Sequence, residues 1–146
     1  MFFLKELPSR AILESYARRY PQMDVDAVEK ALIMLRDASL LLRELEAYFA
    51  SQGLSQSRFL TLIVIEREPE RDGLLASEIA DRLDISRPVV SETVRALQRD
   101  GLLEVTKVER DARARLVRLT PAGRHRLQAL LPGYYEIIGR FMANKT

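Results

Sequence analysis

Arg87, Pro88, Ser91, Glu92 and Arg95 share one side of a helical stretch, because Val90, Val94 and Leu97 occupy the opposite side at i, i+4 and i+7. The outward set is unlike an ordinary solvated face of Lys/Glu pairs. Its leading end is short and hydrogen-bonding, and an arginine follows one turn later. A slim helix end with polar tips is what the major groove of duplex DNA admits. There an arginine pairs with guanine O6 and N7 or holds a phosphate, and a glutamate accepts from cytosine N4. Ser77, one helix earlier, and Ser86, at the start of this one, complete the candidate contact set. An amphipathic helix with no ligand is the alternative for the stretch taken alone.

A second group follows closely. Leu103 to Glu109 alternates and is rich in β-branched residues, and Arg115 to Leu119 is a second short strand. The hairpin tip expected between them, Arg110 to Arg113, carries a cationic finger of Arg110, Arg113 and Arg115 suited to the minor groove or flanking backbone, where negative potential is focused. Lys107 adds a cation on the first strand. Asp111 is a poor group to set against phosphate, so its expected task is a bidentate pair that orients the Arg113 guanidinium. A solvated hairpin of balanced charge is the alternative for the tip.

The elements that position these groups are legible around them. Leu75 to Leu83 reads as a short helix with Ile79, Ala80 and Leu83 inward, and a connector of about three residues forces the next helix across it. Ser86 is the expected N-cap, its hydroxyl accepting from a first-turn amide, and Pro88 sits where a missing N–H costs nothing. Two helices and a hairpin in this order form a winged helix-turn-helix. Upstream, Ser9 to Tyr20 reads as a short helix ended by Pro21, with Ile12, Leu13, Tyr16 and Tyr20 as an apolar stripe. Asp24 is the expected cap of a long helix running to about Ser51, with Gly53 as its stop. That helix would be about 40 Å long. Val28, Leu32, Leu35, Leu42, Leu45 and Phe49 form one apolar face and Ile33, Met34, Leu40 and Leu41 another, so it needs cover on more than one side. A second subunit supplies that most simply; a central helix of one bundle is the alternative. Ser55 caps a further helix, residues 69–73 form a turn-rich loop, and two Pro-punctuated helices, Pro121 to Leu131 and Gly133 to about Ala143, close the chain.

Charge supports the division. Residues 1–81 hold 10 Lys/Arg against 14 Asp/Glu, and residues 82–146 hold 13 against 7, which gives −4 and +6. One half thus suits a polyanion and the other does not. The 146 residues, 47% hydrophobic and 30% charged, have a globular composition with enough length for a core. The absence of cysteine excludes disulfides, Cys-type zinc sites and thiol chemistry. His125 is the sole histidine, so no nucleophile–base pair suggests an enzyme, and neither metal nor cofactor is expected. The N-terminus lacks a basic region followed by an apolar signal stretch, and Phe59 to Ile65 is far too short to span a bilayer. The expected compartment is the cytoplasm, with no membrane partner.

The run Asp111-Ala-Arg113-Ala-Arg-Leu-Val-Arg-Leu119-Thr120-Pro-Ala-Gly123 resembles the wing-and-exit pattern of the MarR (multiple antibiotic resistance regulator) family, Asp-x-Arg, a strand, then Leu-Thr-x-x-Gly opening a helix. Leu97, Gly101 and Leu102 match the end of that family's recognition helix, and Leu54 to Glu66 looks like its second helix. The similarity spans roughly residues 24 to 131. It implies a homodimer on a pseudo-palindromic double-stranded DNA site, with Arg113 in the minor groove and Arg87 to Arg95 reading the major groove. It also implies release by a small aromatic effector. Leu35 to Leu45 and Phe59 to Ile65 could line the cleft for it, although core packing accounts for the same residues more simply. Three features depart from the pattern. Val105 and Thr106 stand where arginine is frequent, with Lys107 as the substitute. The helical region after Gly123 is shorter than usual, and residues 1–22 are additional. The helix at Ser9 to Tyr20 is therefore expected to take over part of the dimer contact.

The expected fold is mostly α with a small β-hairpin wing (α+β). A winged helix-turn-helix over 54–120 is joined to a helical dimerisation region built from both chain ends, 1–53 and 121–146. The expected function is a DNA-binding transcriptional regulator, a repressor by preference. The alternative is a winged-helix module that binds protein and has lost DNA contact, and the arginines at 95, 113 and 115 argue against it.

Overall fold

Four of the helices start at a side chain that accepts a free backbone amide. A computed structural model describes residues 2 and 4–145. Helix α1 (Arg10–Arg19) follows Ser9, whose Oγ accepts the Ile12 N–H at 3.2 Å. Helix α2 (Val25–Ser51) follows Asp24, whose Oδ1 accepts from Ala27 at 3.1 Å. Helix α3 (Gln56–Glu66) follows Ser55, and α6 (Pro121–Ala143) follows Thr120, each with its hydroxyl on the amide three residues on. Each such cap is worth about 1 kcal/mol. Gly53 and Gly101 close α2 and the helix ending at Arg99 at φ +74° and +76°, which lets Leu54 and Leu102 bond back to the carbonyls of Phe49 and Leu97 at 2.9 Å.

The chain forms two units, residues 1–44 and 45–146. In the first, Arg10 joins α1 to the start of α2: its guanidinium donates to Asp26 at 2.5 Å and to Glu29 at 3.4 Å. Leu13 is buried there, whereas Ile12, Tyr16 and Tyr20 of the expected apolar stripe are exposed.

The second unit holds the end of α2, then α3, strand β1 (Gly73–Leu75), α4 (Ala76–Arg82), α5 (Arg87–Arg99), β2 (Leu103–Val108), β3 (Asp111–Leu119) and α6. The core gathers Phe49, Phe59, Leu62, Leu74, Ile79, Leu97, Val117, Leu127 and Leu130. Phe59 stacks on Phe49 with centroids 4.5 Å apart, and Tyr134 lies 4.7 Å from Phe59. Burying one such ring stabilises by about 1.5–3 kcal/mol.

Two expectations about these elements need correction. The sheet has three antiparallel strands in the order β1-β3-β2, because Gly73–Leu75 lies along β3 with Leu74 opposite Val117, both fully buried. The chain end is one helix, with Pro132 inside it, and not two. Leu127 and Leu130 before the proline and Tyr134 after it pack in the same core, which outweighs the lost backbone bond. Tyr48 adds to this by donating its hydroxyl to the Leu130 carbonyl at 2.7 Å.

Candidate nucleic-acid interface

The helix-turn-helix is held from behind by a charged brace. Arg71 grips Glu78 with two bonds, 3.0 and 2.6 Å, while Glu78 also accepts the Leu75 N–H at 3.0 Å. Arg82, at the far end of α4, donates to Glu68 at 2.7 Å. These contacts tie both ends of α4 to the segment after α3. The Arg71 guanidinium first, and the Leu75 amide second, hold the Glu78 carboxyl at about 2. Glu68 is likewise lowered, chiefly by Arg82. The sequence reading passed over this brace, whose partners lie in what reads only as a turn-rich loop.

Helix α5 then divides cleanly. Val90, Thr93, Val94, Ala96 and Leu97 are buried, while Arg87, Pro88, Ser91, Glu92 and Arg95 are exposed, with Gln98 and Arg99 continuing the same side. The last two were missed, yet they lie at i+7 and i+4 from Ser91 and Arg95, within the helical spacing already in hand. Ser77 is exposed on α4. Ser86 occupies the N-cap position of α5, but its side chain makes no capping bond, contrary to expectation. Its extended backbone still lets its carbonyl accept the Val90 N–H at 3.0 Å.

The wing differs from the expected hairpin. Strand β3 begins at Asp111, so only Glu109 and Arg110 form the tip, and Asp111, Arg113 and Arg115 belong to the strand. Asp111 does not grip the Arg113 guanidinium. Its Oδ1 accepts the Arg113 backbone N–H at 2.9 Å, a bond between near neighbours that fixes the strand start. Arg115 is half-buried and folds back, donating to the carbonyls of Ala112 at 2.8 Å and Ala114 at 3.0 Å.

Alternation along β3 arranges what remains. Val117, Arg115 and Arg113 point to one face, running from buried through half-buried to exposed. Arg115 shares a groove of about 310 Å³ with Ser91, Arg95 and Gln98 of α5 and Ala76 of α4. The groove therefore has the recognition helix on one side and the wing on the other. Lys107 of β2 sits directly opposite Arg115 in register, so two like charges face each other on this surface. The neighbouring pair on the opposite face, Glu104 and Arg118, is complementary.

Ion pairing is uneven across the unit. Arg58, Arg71, Arg82 and Arg124 each lie within 4.0 Å of a carboxylate. Among the described residues, Arg87, Arg95, Lys107, Arg110, Arg113 and Arg115 have none. No group of three or more potential metal ligands occurs among the described residues. Phe59, Leu62, Ile63 and Ile65, considered for an effector cleft, are core side chains.

Comparison with known proteins bears directly on this arrangement. The pattern of the MarR family matches residues 52–114, from the end of α2 into β3. The transcriptional repressor YetL of Bacillus subtilis is 28% identical over 142 residues, 97% of this chain and 84% of that protein. Residues 52–114 thus match the MarR family of transcriptional regulators, and nearly the whole chain is similar to one of its repressors. Among solved structures, the Mycobacterium tuberculosis regulator MosR in complex with DNA is 27% identical, with a TM-score of 0.63 and coverage of 77% of this chain and 80% of that one. The MarR-family regulator Sco3205 of Streptomyces coelicolor, also in complex with DNA, has the same fold at 20% identity, with a TM-score of 0.78 and coverage of 85% and 78%. In this regulator, no helix among the described residues is long and apolar enough to cross a membrane.

Proposed function

We propose that this regulator binds a pseudo-palindromic DNA site as a homodimer, with α5 in the major groove and the wing on the minor groove or adjacent backbone. The observation that carries the reading is the run of cations without carboxylate partners along α5 and one face of the wing. Such a surface is held charged at a cost in self-repulsion, and a phosphate backbone removes that cost. Ser91, Glu92, Arg95 and Gln98 read base edges; Arg87, Lys107, Arg110 and Arg113 hold phosphate or groove walls; Ser77 and Ser86 donate to phosphate; and Asp111 and Arg115 keep the wing in shape. Repression is the preferred sense, as in YetL. A chromosomal target sets the cytoplasm as the working compartment, and the groove performs recognition, with no catalysis.

The dimer rests on apolar surface that each unit leaves open. Ile12, Tyr16, Tyr20, Met34, Leu35 and Leu42 are exposed in the first unit, and Tyr135 and Met142 in the second. These lie in the two stretches, 1–53 and 121–146, assigned to dimerisation. Light scattering of the chain lacking residues 1–20 should show a weakened dimer; an equally stable dimer would remove α1 from the interface.

Selection of bound fragments from the source genome, repeated over a salt series, tests the DNA reading. The expected result is a paired half-site with affinity that falls steeply as salt rises. Enrichment of no sequence, together with salt-independent binding, would favour the protein-binding alternative.

A further inference from the structure

Among the described residues of the second unit, the large hydrophobic side chains left exposed are Val89, Tyr135 and Met142. The last two lie on α6, in the stretch assigned to dimerisation. Val89 lies instead in the first turn of α5, 40% exposed, between Arg87 and Glu92 of the surface proposed to meet DNA. Pro88 beside it is exposed too, so the leading end of the helix is apolar at two consecutive positions. Neither composition nor helical period had singled out Val89.

Position 89 also breaks the local rule for starting a helix. It is the third residue after the cap Ser86, where a glutamate or glutamine reaches back to the amide of the cap. Helix α4 uses that device: Glu78, third after the cap Leu75, accepts the Leu75 N–H at 3.0 Å. In α5 the place is held by a β-branched residue that accepts nothing and favours helix less than glutamate or glutamine, and the Ser86 side chain makes no capping bond in return. Repulsion between phosphate and an acidic residue does not account for the choice. Glutamine would close the same bond uncharged, and Glu92 stands one residue past that turn. Chains give up local consistency of this kind chiefly where function needs the residue.

We infer that Val89, beside Pro88, reads the C5-methyl group of a thymine in the major groove. The inference rests on the DNA reading above and names one base type within it. Thymine alone of the four bases carries a methyl there, and a small aliphatic side chain meets it without displacing a hydrogen bond. Set against cytosine or adenine, the same side chain would cover an amino donor and pair with nothing, so valine rejects those bases as well as favouring thymine. A serine or glutamine at this position would lose that discrimination, because either can bond to most base edges.

Fluorescence anisotropy of the full chain on the site obtained by genomic selection tests it. Each symmetry-related pair of thymines is replaced in turn by uracil, which differs by that methyl alone. One pair should be sensitive, with affinity falling about fourfold per half-site, the value of one buried methyl. Val89→Ser and Val89→Gln should each bind the thymine and uracil sites within about twofold of one another at that pair. Val89→Gln can close the capping bond with the Ser86 amide, so its melting temperature should be no lower than the parent's. That keeps lost discrimination apart from a lost fold. Sensitivity at no thymine overturns the inference, and so does sensitivity that persists in either variant. A chain that selects no site at all overturns the DNA reading as well, whereas a selected site bound equally with uracil throughout overturns this inference alone.

Discussion

Lys107→Gln separates stability from DNA affinity in opposite directions. Lys107 and Arg115 face each other across β2 and β3, and among the described residues neither has a carboxylate within 4.0 Å. Like charges directly opposite in a sheet cost about 0.2–1 kcal/mol. Removing one should therefore raise the melting temperature by about 1–4 °C for a chain of this size. On the proposed mode of binding, the same change deletes one phosphate-facing cation per protomer, two per dimer. At about 0.9 per phosphate, the slope of log K against log salt should become shallower by about 1.8. Thermal melts by circular dichroism give the first quantity, and fluorescence anisotropy on the selected site across a salt series gives the second. A variant that melts lower while keeping the parent's salt slope would refute both the like-charge pair and its role against DNA.

Arg113→Ala should weaken binding to all sequences by a similar factor, without altering which site is preferred; a changed preference in the same assay would assign Arg113 to base reading instead. Gly123→Ala should lower stability by about 1–3 kcal/mol, since a Cβ there would strike the Leu102 backbone carbonyl, which has no rotamer to give; denaturant unfolding with an unshifted midpoint would contradict that packing. Glu78 has its folded carboxyl at about 2, below the ordinary 4.5, so the brace stabilises above about pH 4.5 and is lost as pH falls toward 2. The melting-temperature gap between wild type and Glu78→Gln should accordingly be open at pH 7 and closed near pH 2; a gap constant across that range would mean that the charge of Glu78 plays no part.

Features set by local chemistry were legible in the sequence. The caps at Asp24 and Ser55 and the stop at Gly53 depend on a few adjacent residues, although the same reasoning failed at Ser86. The recognition face of α5 followed from a helical period strong enough to divide it into two sides. Features set by distant contacts were not legible. Strand β1 is three residues long, too short to show alternation, and it exists because β3 offers it a partner. Helix α6 runs through Pro132 because Phe49 and Phe59, far away in sequence, pack against Tyr134 just after the proline. The wing was misjudged at its tip, where an irregularity between Lys107 and Val108 shifts the register and tightens the hairpin. That shift turns Asp111 from an expected brace for a guanidinium into a ligand of backbone.

The sheet order β1-β3-β2 leaves β2 with one side unpaired. An open row of amides and carbonyls invites a strand from another molecule, and uninterrupted pairing of that kind ends in aggregates. Strand β2 resists it with Glu104 and Lys107 and with the register shift before Val108, since charges and bulges on an edge both discourage pairing. On the proposed binding mode the charge on this strand would protect the free protein as well as meet DNA, and the two duties would alternate: against the duplex the edge would be shielded, and away from it the edge would depend on its own cations. A regulator that spends part of its time off DNA would therefore keep lysine here even if the operator asked for none.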